Sequence, residues 1–247
     1  MDKLYKLPEE SIKLLHKHGL LKQLIKAEVT SQLLSKISIN KELQEKIIQD
    51  FLTKRGLNNQ AKYEQWLTDN HYKKEEIEYM ATAEVRFKQY SIDTFNHKAG
   101  TRFLERKNQL DVVVYSLLRL SDYDLAKELF LRIKEGEADL GDLASQYSEG
   151  LEKQTRGVIG PAPLDNAHPT LAEVLRTIPS GQVQPPKKIL GSFVVLRLES
   201  YEPVQLDEFM KTKMSEELSH ISINEKVEKL SKELLNQLND SIENGGI

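Results

Sequence analysis

The stretch from Asp111 to Pro203 constrains the fold more than any other part of the chain. It opens on VVVYSLLRL and closes on GSFVVLRLE, two short apolar runs rich in β-branched residues and bounded by polar residues or glycine. That is the pattern of strands. Between them lies TRGVIGPAPL, with Gly157, Gly160, Pro161 and Pro163. Proline has no N–H to donate and glycine favours turns, so this segment is not a regular helix. Helical spacing recurs around it. Ser121 or Asp122 caps a run with Leu125, Leu129 and Ile133 that Gly136 ends, followed by Leu140, Leu143 and Tyr147. Leu171, Val174, Leu175 and Ile178 make a further short helix before a Ser180-Gly181 turn. The order strand, helix, helix, glycine-rich loop, helix, strand predicts a small α+β domain over 109–203.

Everything outside that stretch reads as helix. Over 1–108, Pro8 with Glu9 and Glu10 suits a helix start, Asn40 a cap, and Gly19 and Gly56 stops. Apolar positions such as Leu21, Leu24, Ile25, Val29 and Leu33, then Leu43, Ile47, Ile48, Phe51 and Leu52, follow helical spacing. Trp66 reads as a core anchor. KKEEIEYMATAEVRFKQYS and IDTFNHKAGTRFLERK read as two successive helices, for about six antiparallel neighbours in all. Over 204–247, Leu206, Phe209, Met210, Met214 and Leu218 begin an apolar face that Val227, Leu230, Leu234 and Leu238 continue. Ser222 and Glu225 have capping-box spacing, which predicts a break at SHISIN; ENGGI is expected to fray. The face either packs on the N-terminal helices of the same chain or forms a homodimer seam through 205–240. The expected fold class is α+β, with an all-α N- and C-terminal frame around a small antiparallel-sheet domain.

Several function classes are excluded by composition. The formal charge is −3, from 35 Lys+Arg against 38 Asp+Glu, interleaved in runs such as Lys73-Lys74-Glu75-Glu76 that read as solvated faces. A nucleic-acid binder should show a basic stripe instead. With no cysteine there is no disulfide framework, thiolate nucleophile or thiolate metal site. His16, His18, His71, His97, His168 and His220 form no pair at the spacing helices use for metals, so neither metal nor cofactor is expected. The first residues lack an apolar run of signal-peptide length, and no stretch approaches the roughly 18 apolar residues of a membrane span. The expectation is a cytoplasmic protein with no membrane insertion.

The central stretch resembles a parvulin-type peptidyl-prolyl cis–trans isomerase domain. The signals that carry the resemblance stand in one order. They are Ala126 to Leu129 after the first strand, Gly136-Glu137, Leu143-Ala144, Tyr147-Ser148, Gly157 to Gly160, Gly181 to Pro186, and Gly191 to Leu198. With helices on either side, the whole chain resembles foldases of the SurA and trigger-factor style, and soluble parvulin-like proteins of cyanobacterial type. The resemblance implies a peptide or unfolded-protein client, including a precursor peptide or an export substrate. It also implies site positions. The family's polar centre, two strand histidines with a cysteine or aspartate, falls at Ser116, Gly150 and Phe193, where none of those polar groups is kept. The proline pocket falls at Ala167, Leu171 and Phe193, with Tyr147 beside it. Two activities follow: an isomerase that binds proline-containing or apolar segments, or an escort that binds the same segments without isomerising them. A third is an interaction subunit docking through the C-terminal helices.

Overall fold

The computed structural model describes residues 4–244, with side chains as far as Gln237. The side chain of Leu238 and residues 245–247 of the expected frayed tail lie outside the described residues. Helices α1 (Glu9–Lys17), α2 (Leu21–Leu34), α3 (Lys41–Lys54), α4 (Gln60–Asn70) and α5 (Lys74–Leu110) precede strand β1 (Val112–Leu120). Then come α6 (Tyr123–Lys134), α7 (Leu140–Tyr147), β2 (Val158–Pro163), α8 (Pro169–Thr177), β3 (Val183–Ile189), β4 (Ser192–Glu202) and α9 (Glu208–Asn244). The fold is α+β. It divides into two compact units, one of residues 1–102 with 207–247, the other of residues 103–206.

The first unit is helical. Leu21, Ile25 and Val29 of α2 pack against Ile223, Val227, Leu230 and Leu234 of α9 in one buried cluster. Lys22 and Glu228 close an ion pair of 2.6 Å beside it. A second cluster joins Leu52 of α3, Tyr63 of α4 and Ile77 of α5, with Trp66 packed on it and stacked on Tyr72. Asn40 caps α3, its side chain accepting from the backbone N–H groups of Glu42 and Leu43.

Two expected breaks are absent. The two helices read between Lys73 and Lys107 are a single α5 of 37 residues. No proline interrupts it, and the Ser91 hydroxyl satisfies itself on the Phe87 carbonyl one turn back. SHISIN likewise lies inside a continuous α9. Ser, Ile and Asn are only mildly unfavourable in a helix, and burying Ile223 against α2 outweighs that cost. Ser222 and Glu225 therefore cap nothing.

The second unit is a four-stranded antiparallel sheet in the order β2-β1-β4-β3, with α8 on one face and α6 and α7 on the other. Sequence reading found only the two central strands. The edge strands carry Pro161, Pro163, Pro185 and Pro186, and an edge is where a sheet tolerates residues without an N–H. Asp122 and Asp139 cap α6 and α7 through their side chains.

Where α5 meets β1 the buried Asp111 carboxylate accepts from the Tyr201 hydroxyl (2.7 Å) and the Val204 N–H (2.9 Å). Burial first, and this bond second, push the Tyr201 phenol up to about 12. A folded value above the unfolded one, about 10, favours the neutral phenol in the native state. Its contribution to stability is complete below about pH 10 and disappears as the pH rises towards about 12. Denaturation midpoints compared at about pH 9 and about pH 11 should fall less for Tyr201→Phe than for the wild-type chain. Equal falls would dismiss the assignment.

Candidate functional site

Strand alternation decides what the second unit presents. Successive side chains of a strand point to opposite faces. On β1, Val113, Tyr115 and Leu117 join the core beneath α8, as do Val194, Leu196 and Leu198 of β4. Leu118, Leu120 and Val195 join the core beneath α6 and α7. Towards the end of β1 the α8 face opens into a cleft of about 210 Å³. Leu117, Ile159, Leu171, Ile189 and Val194 give it an apolar lining, and Tyr115, Arg119, His168 and Ser192 add polar groups. His168 is held as the cap of α8, its Nδ1 accepting from the Thr170 N–H at 3.4 Å. Burial pushes the Tyr115 phenol above its ordinary value, against the Arg119 charge and with a push from Glu152.

The residues expected from sequence are divided between the two faces. Ala167 and Leu171 line the cleft. Ser116 and Phe193 do not. Ser116 is buried and donates its hydroxyl to Glu199, which also receives the Arg197 Nε. Phe193 and Tyr147 pack on the core beneath α6 and α7, Phe193 against the Tyr123 ring. Their strand neighbours reach the cleft instead: Tyr115 and Leu117 on β1, Ser192 and Val194 on β4. Arg119, Tyr115, Ser192 and His168 were not singled out for the site from sequence. Counting alternate residues back from Arg119 would have put Leu117 and Tyr115 on one face.

Gly150 has a different explanation. A Cβ built on it would run into the carboxylate of Glu152. Glu152 is only 6% exposed and accepts from the Ser148 hydroxyl at 2.7 Å. The Arg119 Nε stands 3.5 Å from it, and the Arg119 N–H donates to the Ser148 oxygen at 3.1 Å. An acidic group therefore stands beside Gly150, supplied from two residues further along the chain. It orients the Arg119 guanidinium at the edge of the cleft. Among the described residues, no group of three His, Cys, Asp or Glu is placed to hold a metal.

A four-stranded antiparallel sheet between α8 and the α6–α7 pair, with a small cleft on the α8 side, defines the class. Residues 119–200 match the family model of the PPIC-type peptidyl-prolyl isomerase (rotamase) domain, and the match is confined to the sheet-bearing unit. Among curated proteins none matches the chain. Among solved structures it is similar to the peptidylprolyl isomerase PrsA of Bacillus anthracis, at 16% identity over 87% of this chain and 97% of that one, TM-score 0.44. PrsA of Bacillus cereus is similar at 19% identity over 91% and 84%, TM-score 0.46. A SurA-like chaperone from Campylobacter jejuni is similar at 16% identity over 86% and 92%, TM-score 0.38.

Proposed function

We propose that the cleft beneath α8 binds a prolyl residue of an extended peptide or unfolded-protein client, and that the protein is a foldase accelerating Xaa–Pro isomerisation. The observation that carries this is the cleft itself, apolar in its lining and polar at Tyr115, Arg119, His168 and Ser192. At about 210 Å³ it is smaller than the roughly 300–1,000 Å³ of sites for drug-sized molecules. It suits one small ring. Rotation about the prolyl amide must break resonance, against a barrier of roughly 18–20 kcal/mol. Isomers differ by only about 0.5–1 kcal/mol, so the task is kinetic. Twisting the bond breaks that resonance, drawing charge off the carbonyl oxygen and localising the lone pair on the nitrogen. An apolar lining weakens solvation of the planar amide, and donors at the edge meet the twisted one.

A second reading is favoured by one observation: the residues of β1 and β4 that face the cleft are Tyr115, Leu117, Arg119, Ser192 and Val194, with neither histidine nor cysteine among them. On that reading the protein escorts a client, such as a precursor peptide or export substrate, without isomerising it. A protease-coupled assay on Xaa–Pro tetrapeptides separates the two. Acceleration at micromolar protein is expected, and Arg119→Ala should reduce it about tenfold by removing a charged donor. No acceleration, together with suppressed aggregation of an unfolded client, would establish the escort instead. We extend the proposal to a cytoplasmic location. No described helix is long and apolar enough to cross a membrane. Fractionation of source cells that finds the protein elsewhere overturns that part.

A further inference from the structure

The β3–β4 hairpin turns through only two residues, Leu190 and Gly191, since Ile189 pairs directly with Ser192. Both have positive φ, 51° at Leu190 and 88° at Gly191. A two-residue turn of this kind selects Asn, Asp or Gly, because a branched apolar side chain gains nothing there and its Cβ crowds the backbone. Leucine is the wrong residue for the turn. Nor is it recruited by the fold, since it is 75% exposed and belongs to neither core that flanks the sheet. A lone exposed leucine would mean little. This one combines exposure, an unfavourable backbone and a place in the lining of the cleft, next to Ile189 and Val194. Local strain retained at the edge of a binding site calls for a functional reason.

The geometry points to Leu190 as a specificity-determining contact that extends the apolar lining outwards and receives an apolar residue flanking the bound proline. The inference rests on the proline-cleft reading above. The client chain continues on both sides of its proline, so a flanking side chain reaches the edge of the cleft. Leu190 gives that side chain an aliphatic surface with little desolvation of its own.

Fluorescence anisotropy with labelled Ala-Leu-Pro-Phe and Ala-Gly-Pro-Phe peptides tests this without depending on turnover. The wild-type chain should bind the leucine peptide about tenfold more tightly, the scale of one buried aliphatic side chain. Leu190→Asn should bring the ratio close to one while raising Tm by about 2–4 °C, because asparagine accepts the left-handed turn. Leu190→Gly should do the same to the ratio. Opposite movement of selectivity and stability is something a packing role cannot produce. An unchanged ratio in both variants, or a fall in Tm for Leu190→Asn, overturns the inference. So does a wild-type dimer in light scattering that Leu190→Asn dissolves, since the occupant is then a second copy. If the wild-type chain binds neither peptide, the cleft reading falls as well. If it binds both equally, only the role of Leu190 falls.

Discussion

Gly157→Ala should destabilise the sheet-bearing unit by about 3 kcal/mol, enough to leave much of it unfolded at moderate urea. Two separate costs add at this position. Its φ of +81° lies in the left-handed region, where a residue with a Cβ loses about 1–2 kcal/mol. The new Cβ would also stand 2.7 Å from the Leu117 carbonyl oxygen and 2.9 Å from the Ala144 Cβ. Neither neighbour can yield cheaply. The Leu117 N–H already donates to the Gly157 carbonyl at 2.9 Å, and Ala144 is fully buried between α7 and the sheet. The control is Gly136→Ala. Gly136 has a similar φ of +76°, but nothing lies within 4 Å of its added Cβ. It should lose only the conformational part, about 1 kcal/mol. Chemical denaturation of the two variants isolates the close approach as their difference. Equal losses would show that β1 does not hold the 157 segment as tightly as the geometry states.

Leu117 lies in the lining of the cleft, so this tight contact also sets where the apolar floor stands. The physical distinction explains how much sequence could reveal. The central strands were readable because VVVYSLLRL and GSFVVLRLE are apolar and bounded. α6 and α8 were readable because their apolar positions fall at steps of three and four. β2 and β3 were not, because prolines that suppress a strand reading are tolerated at an edge, and edge position is a property of the assembled sheet. α5 and α9 look divisible at Ser91 and at Ser222-Ile223-Asn224, but the Ser91 hydroxyl bonds back to the Phe87 carbonyl within α5, and burial of Ile223 against α2 carries α9 through. The cleft suffers most from strand periodicity. An offset of one residue moves a side chain to the other face, and Ser116 and Phe193 stand one place away from Leu117 and Val194. Leu171 and Ala167 reach the cleft because α8 and the turn before it lie against that face of the sheet.

Gly150 and Glu152 should behave as one site, and a double-mutant cycle makes this visible. Glu152→Ala removes the acceptor of the Ser148 hydroxyl and the partner of the Arg119 guanidinium. Arg119 is 43% exposed, so solvent screens that pair and the loss should be about 2 kcal/mol rather than the larger figure for a fully buried ion pair. Gly150→Asp should lose about 2 kcal/mol for a different reason: its side chain meets the Glu152 carboxylate, placing two like charges in a poorly hydrated site. The backbone itself does not forbid a side chain, since φ at Gly150 is −102°. In the double variant the first change vacates the space that the second one fills, and an acid returns beside Ser148 and Arg119. The combined loss should therefore fall short of the sum by more than about 1 kcal/mol, the range expected for residues in direct contact. Additive losses would mean that Glu152 does not occupy the volume at Gly150. Peptide binding in the same set of variants carries the result to function. If the carboxylate orients Arg119 at the cleft, Glu152→Ala weakens binding and the double variant recovers part of it. A loss of stability with binding unchanged in every variant confines the network to holding the fold.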